Sequence, residues 1–367
     1  MPRYILVVSF VLSCIFLRIG WIGFAMLDQG MWASQASFMQ TGDARQFDLG
    51  MAYGHPGGPV IIGTTLIHKV FGYSYLDSLN TFLIVFCGLI IAITCTICYL
   101  LKKDLYWILI VLVILSLSRL YDSLTPPSGV AALLFVLLSI VTLYIYTKKD
   151  TKNNLLLFSW AVVAGLATAT RVDMGTIGLF VFVLLLKQIL SWKQISAMIL
   201  VAFVTFCVSD PYMWYMPIQH IGDLLYKITY HYADYTPIHM SFSTVIISSC
   251  FAFVSIFLAL ALSFLKKEIE HPLPLRYLYT VLVMTVYLYA VFLTAHYQAI
   301  RYFVPLIFIW EVFLPIYIFS IIDHLEFNFL KSARANVIGQ RIIKIIMTCM
   351  FVVYPIVLIA YSLTVSH

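Results

Sequence analysis

The chain predicts an all-α membrane protein, a polytopic bundle of about eleven transmembrane helices, and three observations predict it. First, 62% of its 367 residues are hydrophobic and only 10% are charged, with a mean hydropathy of +0.98, more apolar material than a soluble core of this length can hold. Second, several apolar runs reach or exceed the roughly 20 residues that a helix needs to cross a bilayer. Third, these runs are continuous rather than alternating with period two. Helices, not outer-membrane strands, must therefore satisfy the backbone inside lipid.

In chain order the predicted spans lie near 4–27, 75–101, 105–120, 128–147, 154–172, 174–190, 195–209, 243–265, 275–295, 302–322 and 342–364. The run 105–120 is short, roughly 24 Å as a helix, and needs local thinning or an interfacial extension. The apolar run 59–72 is too brief to cross and is expected to dip into the interface. The first run is read as a retained helix, because Arg18 interrupts it and no small-residue cleavage site follows. The whole of 1–367 reads as a single domain.

Orientation follows from counting charges. With a cytoplasmic N-terminus, all of the 22 Lys and Arg residues except Arg18, Arg45, Lys69, Arg119, Arg171, Lys227 and Arg301 fall on the cytoplasmic side, the bias of the positive-inside rule. Asp28, Asp43, Asp48, Asp77, Asp122, Asp173, Asp210, Asp223 and Asp234 fall on the other. The cytoplasmic loops are short and carry no Gly-rich phosphate loop, which argues against nucleotide chemistry. The net charge of +6 belongs to this sidedness, not to nucleic-acid binding. All seven cysteines sit in apolar runs and read as small core hydrophobes, Cys95 and Cys98 included.

Two outer loops, 28–59 and 210–242, carry the candidate site. The first is a polar interval holding Asp28, Asp43, Arg45, Asp48 and His55. In the second, His220, Asp223, Lys227, His231 and Asp234 recur at spacings of three and four, one stripe of a helix, with Ile221, Leu224, Ile228 and Tyr232 as the apolar stripe beside it. That pattern predicts an interfacial helix at the membrane surface, ending before Pro237.

Taken in order, Gly42-Asp43-Ala44-Arg45, then Gly54-His55-Pro56-Gly57-Gly58-Pro59, then Val70-Phe71-Gly72 resemble the first outer loop of the glycosyltransferase C superfamily, in its polytopic branch of protein mannosyltransferases and aminoarabinose transferases. Gly165-Leu166-Ala167 leading to Arg171, Asp210-Pro211-Tyr212 opening the loop with His231, and Arg301-Tyr302-Phe303-Val304-Pro305 extend the likeness to about residue 322. Two positions depart from it. Ala44 stands where the family often has a second acid, and Gly57 where its usual His-Pro-Pro has the second proline.

The resemblance implies inverting transfer of a sugar from a polyprenyl-phosphate carrier to a lipid, glycan or protein acceptor, on the periplasmic, extracellular or lumenal face. A phosphate leaving group needs no general acid, so one carboxylate base suffices. Asp43 is the candidate base and Asp48 its substitute. Arg45, His55, Arg171, Lys227, His231, Arg301 and Tyr302 are the candidates for binding substrate and its phosphate, where cations offset the charge that develops on the leaving group. No cofactor is required, although Asp43, Asp48 and His55 leave a divalent cation open.

Each residue also has a plainer account. Arg301 can snorkel to the interface, Arg171 can pair with Asp173, His55 can shape the turn before Pro56, and Arg18 inside its span can pair with Glu311. At the level of the whole chain, the rivals are a lipid or solute transporter and a non-catalytic membrane subunit on the same scaffold.

Overall fold

The computed structural model describes residues 27–41, 57–101, 127–148, 154–172, 190–229, 304–322 and 336–349, with a few positions beside them such as Met174, Gly175, Leu282 and Thr285. Nearly all of these residues are helical, and no strand occurs among them. The helices are α1 (Leu27–Thr41), α2 (Gly58–Phe71), α3 (Tyr75–Leu101), α4 (Pro127–Lys148), α5 (Asn154–Thr170), α6 (Trp192–Ser209), α7 (Pro211–Tyr215), α8 (Pro217–Thr229) and α9 (Val304–Ile322), with a further helical stretch over 336–349.

Two of them, α3 and α6, are long and apolar enough to cross a membrane. The predicted spans at 75–101, 128–147, 154–172, 195–209 and 302–322 each coincide with a helix. The spans predicted at 4–27, 105–120, 174–190, 243–265 and 275–295 lie wholly or mostly outside the described residues, as does most of 342–364.

Local sequence explains where several helices begin and end. At the start of α6, the Ser191 side chain accepts from the Gln194 backbone N–H, while the Gln194 side chain accepts from that of Ser191. This reciprocal cap starts the helix three residues before the expected 195. At the other end of α2, Gly72 adopts φ 68° and returns its N–H to the His68 carbonyl, so the Phe71-Gly72 pair is a left-handed helix stop. His68 then donates to the Tyr73 carbonyl at 2.6 Å and stacks on Tyr75, fixing the passage from α2 to α3.

Neighbouring helices pack in sequence, α3 on α4, α4 on α5 and α5 on α6, with α1 and α2 laid against α3. At Gly165 the backbones of α5 and α6 come so close that a Cβ would collide with the Ala202 carbonyl and the Thr205 side chain. Ala161 and Ala164 on the same helix are also buried, so the contact uses the small residues that let helices approach where no hydrophobic effect drives them together. The opposite surface of α6 is apolar and open, with Leu200 62% and Val208 63% exposed beside Phe203 and Val204. In α9 the described side chains from Phe308 to Ile322 are buried all round, which fits a helix without an amphipathic stripe. Trp310 Nε1 in that helix donates to Thr285 Oγ1 at 2.7 Å.

The first outer loop is not loop throughout. Its segment 27–41 is α1, with Trp32, Ala33, Gln35 and Ala36 buried, and Thr65 of α2 donates to the Ala36 carbonyl at 3.2 Å. Of the cysteines, Cys87, Cys95 and Cys98 are buried thiols, Cys207 is half-buried and Cys349 is exposed.

Candidate functional site

Where α6 ends, the chain turns through Asp210 into two short helices, each opened by a proline at its first position, Pro211 and Pro217. Asp210 Oδ1 accepts from the Tyr212 N–H at 3.1 Å and caps α7. Its other oxygen, Oδ2, lies 2.6 Å from His220 Nε2. The two short helices fold the chain back far enough to bring together residues ten positions apart. Both side chains are almost completely buried.

Burial pushes the Asp210 carboxyl above the ordinary carboxylate range, against the opposing pull of the His220 hydrogen bond and charge. With Asp210 ionised, the short contact requires Nε2 to carry the hydrogen. The second ring nitrogen of His220, Nδ1, is buried and has no hydrogen-bond partner among the described residues.

Around this pair the structure gathers four elements. Tyr212 donates its hydroxyl to Gln35 Oε1 of α1 at 3.0 Å, and both groups are buried. The Tyr212 hydroxyl is held above its usual range by burial and by the nearby Asp210 charge, so it remains a donor. The start of α2 presses on the turn from the other side. A Cβ on Gly58 would collide with the Ser209 carbonyl and lie against Asp210 Cα, and one on Gly57 would run into the Trp32 ring of α1. Gly57 also has φ 60°, a value closed to proline, whose ring fixes φ near about −65°. The glycine that departs from the His-Pro-Pro pattern is therefore what this turn requires. Its N–H donates to the Thr170 carbonyl at the end of α5, at 3.2 Å, one residue before Arg171.

No family model, curated protein or solved structure matches the chain.

Of the sequence-predicted site residues, Arg171 is the one whose side chain is described. It is 1% exposed, an interior cation rather than a surface charge on a tight turn; its suggested partner Asp173 is outside the described residues. Lys227 belongs to α8, seven residues and about two turns after His220. Asp43, Arg45, Asp48, His55, His231, Arg301 and Tyr302 lie outside the described residues. So do the acids and histidine considered for a divalent cation; among the described residues, no group of three His, Cys, Asp or Glu side chains could hold a metal.

Sequence reasoning missed the Asp210–His220 pair. It placed His220 on the polar stripe of an interfacial helix, whereas that side of the helix turns inward. Leu224, one turn on, packs with Ala169 and Phe206, while Ile218, Ile221 and Leu225 face outward. The signal available was the doubled helix start, an Asp-Pro at the end of an apolar run and a second proline six residues on, which marks a corner able to fold a histidine back onto the aspartate.

Proposed function

We propose that this protein is an integral, multi-pass membrane glycosyltransferase. It moves a sugar from a polyprenyl-phosphate donor to a lipid, glycan or protein acceptor on the non-cytoplasmic face. Its scaffold is the bundle of about eleven spans, in which α3 and α6 are two of the crossings.

The observation that carries this reading is the anchoring of the described residues that precede and follow the polar segment 42–56 in sequence. α1, which leads into it, is bonded to Tyr212, and Gly57, which follows it, is bonded to the end of α5 beside Arg171. In sequence, Asp43, Arg45, Asp48 and His55 lie between these two anchors, which sit beside a buried acid, a buried imidazole and a buried guanidinium. Such a concentration of ionisable groups at the end of an apolar helix is costly unless it serves chemistry.

In the reaction, Asp43 accepts the proton of the acceptor hydroxyl or amine as that atom bonds to the anomeric carbon. The bond from this carbon to the carrier phosphate breaks with its electron pair on the phosphate. Arg171, Lys227 and Arg301 are the cations proposed to offset that charge, since such groups act most strongly in a water-excluded cleft. Inversion follows from a single displacement.

The test supplies polyprenyl-phosphate sugars to the purified protein, with Asp43→Asn as the control. Wild type releases the carrier phosphate or transfers sugar, and the variant loses at least about two orders of magnitude, the usual scale of a positioned base. Equal rates in both remove Asp43 from the mechanism, and no turnover of any donor removes the glycosyl-transfer reading.

The Asp210–His220 pair favours one rival, since a buried acid and imidazole in a helical bundle can also relay protons in a transporter. Proton uptake by sealed vesicles containing the protein, driven by a solute gradient and absent in Asp210→Asn, distinguishes the two.

A further inference from the structure

The second outer segment touches both flanks of the first through one residue and its immediate bonds. Asp210 spends one oxygen on the α7 backbone and the other on His220 of α8, so the orientation of both short helices relative to α6 depends on it. Tyr212, whose N–H it holds, reaches 177 positions back in sequence to Gln35. The Tyr212 ring lies against that of His220, with centroids 5.4 Å apart. On the opposite side, the backbone of Ser209 and Asp210 is the surface on which the side-chain-free Gly58 rests. One acid thus sits where α1, α2, α6, α7 and α8 meet.

We propose that Asp210 is a positioning residue acting through Tyr212, which sets the placement of α1 and of the Gly57–Gly58 turn, and so the separation of the two anchors of the segment that carries Asp43. This inference rests on the glycosyl-transfer reading only for its catalytic consequence. The coupling between the two outer segments stands on the described contacts alone. A buried hydroxyl-to-amide bond is suited to the task, because it has one geometry and loses its energy when either partner moves. A displacement of about 1 Å at a reacting group can cost on the order of a hundredfold in rate.

The test uses the full-length purified protein and two variants that keep side-chain volume, Tyr212→Phe and Asp210→Asn, together with Gln35→Ala and the double variant Tyr212→Phe/Gln35→Ala. Amide hydrogen exchange is followed in 27–41 and 57–71, with 75–101 as internal reference, and transfer from a polyprenyl-phosphate sugar is assayed for kcat and KM. Each single variant is expected to speed exchange in 27–41 several-fold and leave 75–101 unchanged. The double variant is expected to do no more than either single, as for two halves of one contact. In the assay, kcat falls about tenfold while KM stays within about twofold, a split that general loosening of the fold does not produce.

Unchanged exchange in 27–41 in both Tyr212→Phe and Asp210→Asn overturns the coupling. Faster exchange with wild-type kcat makes the contact merely structural and overturns the positioning role. A wild-type protein that turns over no donor sinks the glycosyl-transfer reading and the catalytic consequence with it, whereas the exchange data alone then decide the coupling.

Discussion

A carboxylate that is nearly inaccessible to solvent, with one imidazole for company, is an unusual expense at the mouth of a helix, and its protonation behaviour is measurable. Burial raises the Asp210 pKa in the folded state above its unfolded value, so the folded protein holds this proton over a pH interval in which the unfolded chain has lost it. Stability contributed by the neutral acid is therefore complete below about pH 4, the ordinary carboxylate value. It drains away as pH climbs through the folded pKa. Asp210→Asn removes the titration. Thermal melts across this range should show the difference in Tm between wild type and variant shifting against wild type as pH rises; a shift the other way means that His220 outweighs burial. Removing the imidazole instead is harsher. His220→Ala leaves the acid buried without its partner, a change that costs about 3–5 kcal/mol, read as a loss of denaturant midpoint or a failure to purify as a monodisperse species.

At the scale of the helix, glycine decides how closely neighbours approach, and the sign of a substitution depends on what surrounds it. Gly165→Ala drives a methyl group into the Ala202 carbonyl of α6, an overpacking that should destabilise by about 1–3 kcal/mol. Gly222 in α8 has nothing within 4 Å of the same added carbon, so Gly222→Ala gains helix propensity and should stabilise by about 0.5–1 kcal/mol. Melting the two variants side by side checks the assignment, and a neutral Gly165→Ala removes the close α5–α6 contact. Much of this layer was legible in the sequence. Long apolar runs located α3, α4, α5, α6 and α9, because span length depends on composition alone. The Ser191-to-Gln194 capping box was also present in the letters, yet an apolar window ignores polar helix starts, and α6 was placed three residues late. α1 was hidden for a related reason. Its sequence, LDQGMWASQASFMQT, carries no strong amphipathic period, and its helix is held by tertiary burial of Trp32, Gln35 and Ala36 rather than by local pattern.

For the whole molecule, the decisive quantity is which surfaces meet lipid, and here the sequence misled about one helix. Period alone divided α8 into a polar and an apolar stripe, but a helix beside a bundle has three environments: protein, lipid and water. His220 and Leu224 take the protein side, so the polar stripe loses its first member to the interior. Ile218, 88% exposed, stands with Ile221 and Leu225 on the outward side. Trp214 and Tyr215 are exposed at the end of α7, the kind of residues that settle at a membrane–water boundary. The open apolar face of α6 leads to this corner through Val204 and Val208. A continuous apolar surface of this kind predicts that α7 and α8 lie at the membrane surface with Ile218 toward the acyl region and Asp223, half-buried on another side of the helix, nearer the headgroups. Nitroxide labels at positions 218 and 223 of vesicle-reconstituted protein test this directly. Label 218 should collide with oxygen in preference to a water-soluble nickel chelate, and label 223 should show the reverse. Nickel access at 218 equal to that at 223 would put α8 in water, and the proposed lipid-borne donor would then lack a sideways route from the bilayer to the Asp210 corner.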